Sequence, residues 1–120
     1  MTRYLITFPS NAMDHIARED MPVVARAAHA VCEEAIDAGV YVLMGGLLNQ
    51  PASIVSTDGT VTDGSTPGAV SGITVVDVPS REEALNWAGK IAAACRCAQE
   101  VREIAYDAEL DALLRDAALL

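Results

Sequence analysis

The sequence has few aromatic and few basic residues. Only 4% of its 120 residues are aromatic, so we expect a core of small aliphatic side chains. It has 8 Lys and Arg against 17 Asp and Glu, which gives a formal net charge of −9. Nucleic acids and anionic membranes bind clustered basic residues, so we expect neither as a partner.

The chain also lacks a long hydrophobic run. Its longest apolar stretch, residues 40–48, is about half of what a membrane-spanning helix requires, and Gly45 and Gly46 interrupt it. Arg3 is followed by only five residues before Pro9, which does not fit a signal peptide. Three cysteines, an odd number, without an export signal favour reduced thiols and a cytoplasmic protein.

The cysteines suggest little further chemistry. Cys95 and Cys97 form a C-x-C pair that could hold a metal or exchange disulfides, but zinc sites need four well-placed ligands, and Cys32 and the two histidines show no ligand spacing. We therefore predict no metal and no cofactor. Because Cys32 falls on an apolar helical arc, we expect its thiol to react more slowly than those of Cys95 and Cys97.

Hydrophobic periodicity and turn signals predict a β-α-β-β-β-α-β-α chain, a single α+β unit of ferredoxin-like character. Both long helices should cover one face of the sheet. Apolar residues on both sides of the strands leave the other face exposed, so we expect a homodimer through that face. The predicted elements are a strand ending at Pro9, a helix over 21–38, a strand over 41–48, hairpin strands over 53–55 and 60–62 around a two-residue Asp58-Gly59 turn, a strand over 73–78, a helix opened by the Ser80 and Glu83 capping box, a strand over 100–104 and a C-terminal amphipathic helix.

Several short motifs, in order and spacing, are similar to those of a known family. They are His29 within AAHAVCEEAIDAGV, Gly46, Asp63-Gly64, Gly72, Val76-Asp77-Val78, Glu83-Ala84-Leu85, Trp87-Ala88, Glu100-Val101-Arg102 and Ile104. On these residues the chain resembles the YCII-related domain family, specifically its DGPF branch, over residues 1–105. Residues 106–120, with the C-terminal helix, lie outside the resemblance.

The resemblance implies a ferredoxin-like subunit that pairs sheet to sheet into a dimeric α/β barrel. It also implies a cleft with a catalytic His and Asp, and these roles fall on His29 and Asp63. The chain departs from the family pattern directly after Asp63-Gly64, where residues 65–68 replace Pro-Phe and an acidic stretch. That change removes an aromatic side chain from beside the expected cleft.

Four residues are candidates for the site on their own merits. His29 lies at the border of the apolar arc of its helix. It is either a proton-transfer group or a partly exposed helix residue without a catalytic role. Asp63 precedes a glycine, so it either caps its own turn or orients an imidazole. Glu100 and Arg102 lie two residues apart on a strand, so their side chains point to the same face. They form either an ion pair or a site at which Arg102 binds an anionic substrate.

Two functions follow from these candidates. The first is a cofactor-independent isomerase, lyase or dehydrohalogenase, in which His29 moves a proton, Asp63 orients it and Arg102 holds an anionic group of a small substrate. The alternative is a non-catalytic small-molecule-binding or regulatory module that works as a dimer. Haem- or metal-based oxidation would need an axial histidine inside the barrel, which the spacing does not support.

Overall fold

The computed structural model describes residues 1–64 and 68–117. Residues 65–67, where the chain departs from the family pattern, lie outside the described residues, as do residues 118–120 at the end of the predicted C-terminal helix. The elements are β1 (Thr2–Pro9), a 3-10 turn (Arg18–Asp20), α1 (Met21–Asp37), β2 (Tyr41–Gly46), β3 (Ser53–Val55), β4 (Val61–Asp63), β5 (Val70–Val78), α2 (Arg81–Cys95), β6 (Glu100–Glu103) and α3 (Ala108–Asp116). The predicted α+β class is confirmed.

The main sheet has four antiparallel strands in the order β2-β5-β1-β6. The two longest strands are central, and the β-branched run of β5 suits a strand paired on both sides. Tyr4 pairs with Val76 and Ile6 pairs with Thr74 on the buried face. Because neighbouring residues of a strand point to opposite faces, Leu5 and its partner Val75 lie on the other face, here called the open face.

Both long helices cover the buried face. Residues of α1 at helical spacing, Val24, Val31 and Ala35, are buried, and the helix ends just before Gly39, whose φ of 73° favours glycine. The predicted capping box opens α2, where the Ser80 hydroxyl accepts a hydrogen bond from the Glu83 amide at 3.2 Å. The local signals for both helices therefore predicted their positions.

The β3–β4 hairpin is present, but its turn is longer than the two residues predicted. Val55 and Val61 are the last strand pair, and the Ser56 amide then donates to the Thr60 carbonyl at 2.9 Å, which leaves a three-residue loop. The Asp58 carboxylate accepts hydrogen bonds from the Ser56 hydroxyl and from the Thr60 amide. These bonds stabilise the charged form and lower the pKa of Asp58 to about 2. Side-chain bonds to the backbone thus select the longer turn.

The chain has a larger radius of gyration than a compact domain of the same length. Its radius of gyration is 16.2 Å, whereas a compact domain of this length has about 14 Å. Leu110 and Leu113 of α3 are exposed, as are all the residues of β3 and β4. None of the described helices is long and apolar enough to cross a membrane.

Candidate functional site

A cavity of about 240 Å³ lies between α1, the C-terminal part of α2 and the buried face of the sheet. Its walls come from elements that are distant in sequence and that meet through the antiparallel register of the sheet. Most of its lining is apolar. The lining residues include Phe8, His29, Cys32, Met44, Thr74 and Cys95.

Two paired glycines lie at one end of this cavity or next to its lining. Gly46 of β2 pairs with Gly72 of β5, and Gly72 also pairs with Phe8 of β1. A β-carbon on Gly72 would overlap the Phe8 ring, so the absence of a side chain there lets the ring lie over the strand. A β-carbon on Gly46 would meet nothing within 4 Å. A side chain at position 46 would therefore extend into open space beside the cavity.

Three sulfur-bearing side chains, Cys32, Met44 and Cys95, line the same cavity. Burial raises the pKa of the Cys95 thiol above its usual range, and a negative charge on the nearby Cys97 would raise it further. Cys95 is thus held as a neutral thiol near neutral pH. The structure reverses the order of burial on which the predicted order of reactivity depended, because Cys95 is buried and Cys32 is only partly buried.

Thr74 lines the cavity and carries a hydroxyl group. It lies in the middle of β5, is only 5% exposed and faces the helices. A hydroxyl can both donate and accept a hydrogen bond, and burying one without a partner is costly. Thr74 is therefore a buried polar residue in a mostly apolar wall.

His29 lines the cavity from α1 and is itself exposed. It follows the partly buried Ala28 and precedes the buried Val31 by two positions. This placement agrees with the predicted border position between the apolar arc and the charged side. The imidazole consequently belongs to the part of the cavity wall that solvent reaches.

Asp63 lies on β4 and does not line this cavity. Its Oδ1 accepts a hydrogen bond from the Ser53 hydroxyl at 2.7 Å, across the β3–β4 hairpin. Ser53 lines a second, polar depression, which shares Gly46 with the cavity. His29 and Asp63 thus stand beside two neighbouring depressions, and the described contacts of Asp63 are with Ser53.

Glu100 and Arg102 lie on the opposite side of the sheet from the cavity. They pair with Thr7 and Leu5 of β1, so both side chains belong to the open face, as their spacing predicted. The Arg102 guanidinium lies 3.7 Å from the Glu100 carboxylate, and the two side chains are 75% and 65% exposed. Exposed pairs of this kind contribute little to stability. Within one chain, these residues and His29 do not share a cleft.

A further polar group on the open face has no partner. Asp77 of β5 pairs with Arg3 of β1, and its Oδ1 is buried without a hydrogen bond among the described residues. Buried carboxylate oxygens normally accept hydrogen bonds. Over residues 1–64 and 68–117, no three His, Cys, Asp or Glu side chains come together as ligands for a metal ion.

Comparison of the chain with protein-family models found no match, and comparison with curated proteins found none either. The resemblance to the YCII-related family therefore stays a prediction that depends on the motifs themselves.

Sequence reasoning missed most of the cavity wall. Gly72 was noted as a family position, but its contact with Phe8 depends on strand register, which periodicity alone does not provide. Thr74 is the single hydroxyl within an apolar β-branched run, residues 73–76. A buried polar residue in a central strand is the one signal that could have pointed to this wall.

Proposed function

We propose that this chain is a small-molecule-binding module and that its ligand occupies the cavity between α1 and the sheet. The observation that supports this function is the cavity itself. It combines an apolar wall with a buried hydroxyl from Thr74 and the exposed imidazole of His29. Ligand sites have this composition, a mostly apolar surface with a few placed polar groups.

The module works as a homodimer of ferredoxin-like subunits in this proposal. Without the β3–β4 hairpin and α3, the order of elements is β-α-β-β-α-β, the pattern of ferredoxin-like folds. The open face presents Leu5, Leu43 and Val75, and a second copy placed sheet to sheet would cover them.

The binding function is tested by filling the cavity. Gly46→Val places a side chain in the open space beside the cavity, in extended backbone that any residue adopts. We expect cyclohexanol or phenol, added as probes, to shift the amide resonances of Thr74 and Cys32 in the wild-type protein and not in Gly46→Val.

The matched control is Gly89→Val, the same chemical change at an exposed glycine of α2 that has nothing within 4 Å. This variant should bind the probes as the wild type does. Probe binding that is unchanged in Gly46→Val would place the binding site elsewhere and contradict the proposal.

A cofactor-independent acid–base enzyme is the second candidate, and the place of His29 on the cavity wall favours it. In this candidate Asp63 orients the imidazole, so Asp63→Asn should change the tautomer of His29, which nitrogen NMR reports. An identical tautomer in both proteins would remove Asp63 from the mechanism.

Turnover provides the other test of the enzyme. His29→Ala should abolish conversion of any substrate found among small carboxylates, lactones and halogenated ring compounds, with the fold intact by circular dichroism. Full turnover in that variant would exclude His29 as the proton-transfer group.

A further inference from the structure

We infer that the cavity selects an aromatic ring with a single hydroxyl, a phenol, over a saturated ring of the same size. This inference rests on the proposed function and adds to it the chemical class of the ligand. It follows from the volume of the cavity, from the sulfur atoms in its wall and from the position of Thr74.

The volume of the cavity suits a ligand with one ring. An apolar cavity of about 150 Å³ binds benzene, and drug-sized ligands occupy about 300 Å³ or more. The cavity of this protein has about 240 Å³, between these two values. A single six-membered ring with one or two small substituents fits that space.

The wall favours an aromatic ring over an aliphatic one. Cys32, Met44 and Cys95 bring three sulfur atoms to one small cavity, and Phe8 adds an aromatic face. Sulfur atoms make favourable contacts with aromatic rings, and aromatic pairs gain more than their buried area alone provides. A saturated ring of the same shape would gain the burial without these contacts.

The polar groups favour a hydroxyl on that ring. The buried Thr74 and the neutral Cys95 thiol line the inner part of the cavity, and His29 lies at its exposed part, so a charged group deep inside would find no counter-ion among the lining residues. A phenol hydroxyl is neutral near pH 7 and both donates and accepts hydrogen bonds. His29 lies at the exposed part of the wall, where it can bind the same hydroxyl or a second polar substituent.

Phenol and cyclohexanol test the inference, because they share a six-membered ring and a hydroxyl and differ in aromaticity. We expect the wild-type protein to bind phenol at least about threefold more tightly, by titration of the Thr74 amide resonance. Met44→Leu keeps the side-chain volume and removes one sulfur atom. It should weaken phenol by about 2- to 10-fold and leave cyclohexanol unchanged.

The outcomes distinguish the selectivity of the cavity from its ability to bind a ligand. Equal affinity for the two probes, or equal losses in Met44→Leu, would overturn the selectivity while leaving the cavity as the binding site, provided that Gly46→Val still blocks both. If neither probe binds the wild-type protein, the proposed binding function fails and the selectivity fails with it.

Discussion

Both faces of the main sheet carry aliphatic residues, but the open face also carries Asp77, Glu100 and Arg102, and only the buried face is covered by helices. On the buried face, Tyr4, Ile6 and Val76 lie beneath α1 and α2 and form the core. On the open face, Leu5 and Val75 are partly buried, and Leu43 is 45% exposed. An antiparallel sheet that faces water on one side normally alternates apolar and polar residues. Here β1 and β5 place aliphatic residues on both sides.

This difference indicates that the two faces of the sheet have different binding functions. Burying one Val, Leu or Ile side chain is worth about 1.5–3 kcal/mol, so covering the open face would stabilise a pair of subunits substantially. The buried face is already covered, yet its packing leaves a cavity that Gly45 and Gly46 line in part. In our proposal the open face therefore binds a second copy, and the buried face binds the ligand.

The largest effect should come from placing a charge on the open face. Leu43→Arg introduces a cation opposite Val75, where a second subunit would bury it without a partner. Each buried, unpaired charge costs several kcal/mol, so the dissociation constant of the dimer should rise more than about a hundredfold. Sedimentation equilibrium measures this change.

The control for that variant is Leu85→Arg on α2, a similarly exposed leucine on a helix and not on the open face. It should leave the dimer unchanged. A wild-type protein that sediments as a monomer at every concentration would refute pairing through the open face, whatever the variants do.

Neighbouring residues of β1 allow a direct comparison of the faces. Ile6 is fully buried, so Ile6→Ala should lower the free energy of unfolding by about 2–5 kcal/mol. Leu5→Ala should lower it less at low protein concentration, where monomers prevail, and progressively more as the concentration rises. Urea unfolding at two concentrations checks both. If the loss of unfolding free energy in Leu5→Ala does not depend on protein concentration, the open face is not part of a subunit interface.

The sequence predicted the elements because their signals are local. The Ser80 and Glu83 capping box, the period of α1 and the β-branched run of β5 each lie within a few residues, and each element formed where it was expected. The end of β2 was placed two residues too late, at Leu48 instead of Gly46. The apolar character of Leu47 and Leu48 outweighed the glycines in that prediction.

The candidate site was harder to predict because it depends on register. Phe8, Gly46 and Gly72 are separated by many residues and meet only when three strands pair. The same holds for the Ser53 contact of Asp63, which the hairpin register creates. Its border position on the helix and the family resemblance identified His29 as a candidate, and it lines the cavity. The roles assigned to His29, Asp63, Glu100 and Arg102 stay predictions.

A smaller effect should follow from adding a side chain at Gly72, next to the Phe8 ring. In Gly72→Ala the new β-carbon overlaps the Phe8 ring, so the ring must move. Overpacking of this kind costs about 1–3 kcal/mol. We expect a loss in that range by urea unfolding, together with altered probe binding, because Phe8 lines the cavity. Gly89→Ala is the control, and it should be neutral or slightly stabilising in a helix.

The smallest effect should be a loss of stability at high pH that originates on the buried face. Burial raises the pKa of Tyr4 above its usual value of 10.0, and the negative charge of Glu103, whose Oε1 accepts a hydrogen bond from the Tyr4 hydroxyl at 3.4 Å, raises it further. A pKa that is raised in the folded state stabilises the fold fully below the unfolded value and loses that contribution as the pH rises through the folded value.

Between pH 7 and 9 the stability should therefore be independent of Tyr4 ionisation, and above pH 10 the wild type should lose stability that Tyr4→Phe retains. Urea unfolding measured at successive pH values compares the two proteins. Ultraviolet difference spectra between them isolate the titration of Tyr4 from that of the other tyrosines. Parallel pH profiles for the wild type and Tyr4→Phe would show that the β1 tyrosine ionises as freely as it does in the unfolded chain, and would contradict a closed, water-excluding buried face at this end of the sheet.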